Sequence, residues 1–282
     1  MTINLYSATG CVRCKIAGQF LNERGLPFHD YDALREGKKA FKSFYQENRQ
    51  NIYRGPEGVE FPLYHDGEVV RQGLPAVVAY LIGGPALNGF FKPGKLHGQW
   101  LDGIHISDGP PALGEELREV LAYLKRQNFK IRIDTNGLNA DLLASILERA
   151  LADRVVMNVK GPLELYPLIL GRPVDPAEIE KSIALVSACS DYFFFTTIAP
   201  VARQDEDSTR ISYITPAEVA QTAALIKKAA GDNRQPYGLS FIDPKASGGG
   251  DLHALEASPQ NVHFRYRSEA RRYQFKAEIL RD

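Results

Sequence analysis

The residues best suited to chemistry in this 282-residue chain are Cys11 and Cys14, spaced C-x-x-C within Thr9-Gly10-Cys11-Val12-Arg13-Cys14-Lys15. On a helix that spacing puts the second sulfur one turn after the first, on the same face. At a helix start the free backbone N–H groups and the helix dipole stabilise a thiolate, so Cys11 is the expected nucleophile. Cys14 is then placed to attack a mixed disulfide and release the product. Arg13 and Lys15 add positive charge beside the sulfurs. The same pair is also compatible with buried structural thiols, or with half of a metal site. Zinc needs two further ligands, conventionally a second C-x-x-C or a His pair, and this part of the chain offers neither in motif form. Zinc or an iron–sulfur cluster would therefore have to be shared between two subunits. Cys189 stands alone on a helical pattern and reads as a packing residue.

A second set of polar residues closes three strand patterns. His105 and Ser107 share a face, as do Arg132 and Asp134, and Asn158 and Lys160, because side chains alternate along a strand. The loops that follow are Asp108-Gly109-Pro110, Thr135-Asn136-Gly137 and Gly161-Pro162. Parallel α/β folds build their sites at such C-terminal strand ends. Each motif alone is ordinary turn and cap chemistry; the recurrence on three strands argues for a pocket. Ser107, Asp108, Gly109, Arg132, Asp134, Asn136, Asn158 and Lys160 are its candidate ligand-binding residues. His97, His105, His253 and His263 match no metal spacing, so no metal site is expected; the alternative is a mononuclear site made from His97, His105 and Asp102.

The elements that must hold these residues follow from hydrophobic periodicity. Ile3–Tyr6, Pro27–Tyr31 and Phe61–Tyr64 read as strands, with Asp66-Gly67 a hairpin turn leading to Val69-Val70. Helical patterns run over Cys11–Glu23, Lys38–Gln50 and Leu74–Ile82. Gly83-Gly84-Pro85 and the Gly-, Pro- and Lys-rich stretch after it mark a boundary. Beyond it, strand candidates at 103–106, 130–133, 154–159, 192–198 and 237–242 alternate with helical patterns at 113–127, 140–150, 176–188 and 216–230. Such alternation implies parallel strands with crossover helices, too few for a closed eight-stranded barrel. The alternating Val262, Phe264 and Tyr266 predict a final strand. The expected organisation is a domain at 1–84, a linker at 85–102 and a domain at 103–282, all in the α/β class.

Two resemblances attach to these stretches. Leu5-Tyr6, the T-G-C-V-R-C-K stretch, Phe61-Pro62-Leu63-Tyr64 and Asp66-Gly67-Glu68-Val69-Val70 resemble glutaredoxins and related thioredoxin-fold reductants over about the first 84 residues. The resemblance implies a thioredoxin-like fold in which Pro62 is a cis-proline facing the dithiol, with Pro62 and Arg13 positioning the thiol substrate. Val12-Arg13 stands where glutaredoxins usually carry Pro-Tyr. Arg71-Gln72-Gly73-Leu74-Pro75 lacks the glycine pair and acidic residue that hold glutathione, so glutathione is not the expected reductant. Ile106-Ser107-Asp108-Gly109-Pro110-Pro111, K-I-R-I-D-T-N-G at 130–137, V-V-M-N-V-K-G-P at 155–162 and T-T-I-A-P at 196–200 resemble the glycyl-radical-enzyme activases of the radical S-adenosylmethionine superfamily. This resemblance spans residues 103–242 and implies a partial (β/α) barrel with a glycyl radical enzyme or its activase as partner. The family's three cluster cysteines are missing: residues 90–103 contain none. Thiolates are the usual ligands of such a cluster, so neither an iron–sulfur cluster nor cleavage of S-adenosylmethionine is expected of this domain.

Composition narrows the classes further. Hydrophobic residues at 44% and charged residues at 24% describe a globular chain. Lys plus Arg and Asp plus Glu each total 34, so the chain lacks the basic bias of nucleic-acid binders. No run approaches the ~20 apolar residues of a membrane span, and MTINLYSATG has no secretory pattern; a cytoplasmic location is expected. These readings converge on a thiol–disulfide oxidoreductase acting on a protein disulfide, with a degenerate activase-like barrel that binds a small ligand or partner protein. The alternatives are a non-catalytic docking protein for a glycyl radical enzyme or anaerobic ribonucleotide reductase system, and an intersubunit iron–sulfur or zinc protein built on Cys11 and Cys14.

Overall fold

The computed structural model of the chain describes residues 2–56, 58–205, 208–242 and 259–280. His253 lies outside the described residues. In chain order the elements are β1 (Ile3–Ser7), α1 (Val12–Glu23), β2 (Phe28–Asp32), α2 (Lys38–Asn48), β3 (Arg54–Gly55), β4 (Gly58–Val59), β5 (Leu63–His65), β6 (Val70–Gln72) and α3 (Leu74–Gly83). They continue with β7 (Trp100–His105), α4 (Gly114–Arg126), β8 (Lys130–Thr135), α5 (Ala140–Glu148), β9 (Arg154–Asn158), α6 (Tyr166–Leu170) and α7 (Pro176–Ser187). The last are β10 (Tyr192–Ile198), β11 (Pro200–Asp205), β12 (Ser208–Tyr213), α8 (Pro216–Ala230), β13 (Tyr237–Phe241), α9 (Gln260–Arg271) and β14 (Ala277–Ile279). The fold is mixed α/β. A small sheet has the order β2-β1-β5-β6, and a six-stranded parallel sheet the order β14-β13-β10-β9-β8-β7. The chain divides into two compact units, residues 1–133 with 148–152, and residues 134–147 with 153–282.

In the first unit, β1 pairs parallel with β2 and antiparallel with β5, and β5 pairs antiparallel with β6. This is the thioredoxin-like arrangement. Leu5 and Leu63 are fully buried in the sheet. The Tyr6 ring stacks on Phe44 of α2 at 4.1 Å between centroids, an aromatic contact that joins helix to sheet. The β5–β6 turn is organised by Asp66, whose Oδ1 accepts from the Glu68 and Val69 N–H groups. Its Oδ2 accepts from the Tyr64 and Tyr80 hydroxyls. Gly67 takes φ +102°, which is why Asp-Gly makes this turn. The Phe61–Pro62 peptide bond is cis. Later in the unit, α4 presents Leu117, Val120, Leu121 and Leu124 as a buried stripe at helical spacing.

In the second unit β9, β10, β13 and β14 are held in parallel register. Their hydrophobic runs (Val155-Val156-Met157, for one) are nearly continuous, as expected of strands covered on both faces. Helix α8 starts with a capping box, the Thr215 hydroxyl accepting from the Glu218 N–H while the Glu218 carboxylate accepts from the Thr215 N–H. Gly231 ends it in the left-handed conformation. An antiparallel β11–β12 hairpin, not legible in the sequence, follows β10.

The final strand predicted from Val262, Phe264 and Tyr266 is not there: these residues belong to α9. The period was misread. Tyr266 and Ala270, four apart, are buried, while Phe264 is 59% exposed. Four-residue spacing is helical, and Phe264 was no partner to the buried set. The strand that follows, β14, adds the sixth to the sheet. Among the described residues no helix is long and apolar enough to cross a membrane.

Candidate functional site

Cys11 is the N-cap of α1, with extended φ −70° and ψ 106°, and Cys14 lies in the first turn. The two sulfurs are joined in a disulfide with 5.3 Å between Cα atoms, within the usual span of such bridges. The Cys11 Sγ also accepts from the Cys14 backbone N–H at 3.1 Å. A sulfur at this cap thus occupies the position of a capping oxygen, where a thiolate is stabilised by helix N–H groups once the bridge is reduced. Cys14 is buried, Cys11 is half-buried, and Val12 beside them is 62% exposed. The sulfur that an incoming disulfide can approach is therefore that of Cys11.

Arg13 turns away from solvent. Its guanidinium pairs with the Glu60 carboxylate at 3.2 Å and donates to the carbonyl oxygens of Leu96 at 2.8 Å and Trp100 at 2.7 Å. The side chains of Arg13 and Glu60 are only 15% and 18% exposed. Glu60 also accepts from the Gly94 N–H at 3.1 Å. Burial pushes the Glu60 carboxyl above its ordinary value, against the Arg13 charge and the Gly94 hydrogen bond, which pull it down. Asp102, itself buried, accepts from the Lys95 and Leu96 N–H groups. Arg13, between the two cysteines, is thereby tied both to the residue preceding Phe61-Pro62 and to the 94–102 segment. Sequence reading missed Glu60. The available signal was an acidic residue directly before Phe61-Pro62 with an arginine inside the C-x-x-C.

The strand-end candidates fall in different units: Ser107, Asp108, Gly109 and Arg132 in the first, Asp134, Asn136, Asn158 and Lys160 in the second. In the first, Ser107 is buried and Asp108 pairs with Lys92 at 2.6 Å. Gly109 has a packing role, since a Cβ there would run into the buried Phe90 ring. In the second, the Asn136 Oδ1 accepts from the Leu138 N–H, and Thr135 Oγ1 from Gly137 N–H, both turn contacts. The Lys160 N–H donates to the Tyr166 hydroxyl. The Asn158 amide donates to Thr197 Oγ1 at 3.5 Å, while its Oδ1 is buried with no donor among the described residues. A buried acceptor in that state favours any ligand that brings an N–H or O–H. Next to it the Tyr237 hydroxyl donates to Thr196 Oγ1, which donates to the Val159 carbonyl.

The thiols do not suit a four-iron cluster. Cys11 and Cys14 are bonded to each other, and Cys189 donates to the Leu185 carbonyl of α7 with its thiol pushed up by burial. Among the described residues no three His, Cys, Asp or Glu side chains converge as a metal site. His263 stacks on the Phe241 ring at 3.5 Å between centroids.

No family model matches the chain. A domain of pyruvate-formate lyase-activating enzyme from Bacteroides vulgatus aligns over 63% of this chain and 98% of its own, at 14% identity and a TM-score of 0.43. The glutaredoxin-like NrdH-redoxin from Escherichia coli aligns over 26% of this chain and 84% of its own, at 22% identity and a TM-score of 0.21. A Methanocaldococcus jannaschii protein described as "Putative glycyl-radical enzyme activating enzyme MJ1227" is 30% identical over 112 residues, 38% of this chain. The chain spans about half, 47%, of the length of that curated relative. Over those 112 residues the chain is homologous to that protein.

Proposed function

We propose that the chain is a thiol–disulfide oxidoreductase whose reactive pair is Cys11 and Cys14. The observation that carries this reading is the Cys11–Cys14 disulfide at the start of α1, one sulfur approachable and the other buried. In the reduced protein the Cys11 thiolate attacks one sulfur of a target disulfide. A Cys11–target bond forms, the target S–S bond breaks, and the departing thiolate takes up a proton. The Cys14 thiolate then attacks Cys11 Sγ, releasing the second target thiol and closing the Cys11–Cys14 bridge. Two electrons pass to the target, and a dithiol reductant restores the pair. Pro62 and Arg13 position the substrate sulfur, Arg13 by holding the loop geometry around the motif.

In this reading residues 1–84 form the redox domain, 85–102 a linker and 103–282 the partial barrel. The strand ends of the second unit, Asp134, Asn136, Asn158 and Lys160, bind a small ligand or a partner, the buried Asn158 Oδ1 offering it an acceptor. Homology over 112 residues to a glycyl-radical enzyme activating enzyme supports a glycyl radical enzyme, or its activase, as the protein whose disulfide is reduced. Tethering raises the effective concentration of the dithiol at that target. The test is insulin-disulfide reduction by the full chain with dithiothreitol as electron source. Cys11→Ser should abolish the rate above background, and Cys14→Ser should trap a mixed disulfide visible by intact mass. Wild-type rates in Cys11→Ser would refute the proposal.

A further inference from the structure

We propose that the cleft beside the β6 edge is a binding site for a nucleoside phosphate. The cleft holds about 560 Å³, inside the ~300–1,000 Å³ range of small-molecule sites. It lies wholly in the first unit, and neither cysteine lines it. Three cations face it, Arg54, Arg71 and Lys92, and no described lining residue is a carboxylate. Lys92 shares its charge with Asp108. Arg54 and Arg71 make no ion pair among the described residues. Arg71 is held instead by the Val70 carbonyl and the face of Tyr80, 4.7 Å from its ring centroid, and its Nε meets no acceptor. Asp66 acts on the Arg71 charge as well, so the exposed Arg54, with no ion pair among the described residues, is the cation a phosphate group neutralises first, and guanidinium groups match phosphate oxygens in pairs.

The cleft is not merely an anion patch. Tyr53 lines it with 45% of its surface in water, and the half-buried Phe91 lines it too. Exposed aromatic surface beside arginines is the arrangement on which a flat base stacks. A base on the Tyr53 side with its phosphates on Arg54 and Arg71 uses both features; inorganic phosphate would use one.

The test is isothermal titration of the full-length protein with ATP, tripolyphosphate and adenosine, each alone. ATP should saturate one site, at least about tenfold tighter than either fragment, since a stacked base and a charge-assisted contact are each worth that factor or more. Arg54→Ala and Tyr53→Ala, both changes at solvent-accessible positions, should each weaken ATP about tenfold or more. Insulin reduction by Arg54→Ala should match wild type, because neither cysteine lines the cleft. No saturable heat with ATP at millimolar concentration overturns the proposal. So does unchanged ATP affinity in both variants, or tripolyphosphate binding as tightly as ATP.

Discussion

Arg13→Ala tests the tie between the redox motif and the rest of its unit. The substitution removes an ion pair to Glu60 and two hydrogen bonds to carbonyl oxygens, all at 2.7–3.2 Å. Both charged side chains are more than four-fifths buried, so surface screening does not erase the loss. It leaves Glu60 with the Gly94 N–H as its remaining hydrogen-bond donor and no guanidinium beside it. Breaking one side of a buried pair typically costs about 3–5 kcal/mol. At roughly 2–4 °C per kcal/mol, the melting temperature should fall by about 6–20 °C. Urea unfolding of wild type, Arg13→Ala, Glu60→Gln and the double variant measures it. Neutralising Glu60 removes the stranded charge, so Arg13→Ala should cost about 1–3 kcal/mol less in the Glu60→Gln background. Costs that add within about 0.5 kcal/mol would show that the two residues are not coupled, and the clamp would be refuted.

Two other perturbations have readable outcomes. Burial alone would push the Glu218 carboxyl up, but hydrogen bonds from Arg203 and Thr215 hold it below its ordinary 4.5. A depressed carboxyl contributes stability that is complete above about pH 4.5 and lost as pH falls through its folded value. Unfolding measured from pH 5 downward should therefore flatten in Glu218→Gln; an unchanged slope would contradict the Arg203 contact. Gly109→Ala should destabilise by about 1–3 kcal/mol through overpacking against Phe90, and Phe90→Leu in the same chain should recover part of it. An isoenergetic Gly109→Ala would mean that the glycine is not kept for space.

Much of the fold was legible because local signals agreed. The strand–loop–C-x-x-C–helix run and the Asp66-Gly67 turn are short-range, and α4 and α8 repeat apolar residues at helical spacing. The alternation of strand and helix from 100 to 241 implies a parallel sheet whatever the details. The tail failed because a period of two and a period of four overlap in V-x-F-x-Y, and only packing shows that Tyr266 and Ala270 are the buried pair. The β11–β12 hairpin was missed because its strands read as a continuation of β10 and a loop.

By itself, the sequence determined which atoms can react: two thiols at a helix start, with a proline after Phe61. These depend on residue type and spacing along one short element. Tertiary structure alone decided that Cys14 is the buried cysteine and where the charge of Arg13 goes. It goes to Glu60, 47 residues away in the chain, and to carbonyls more than 80 residues away. It likewise decided that Gly109 makes room for Phe90 and that three cations converge on one cleft. Those facts are distances between segments remote in sequence, set by how the elements pack rather than by any local pattern.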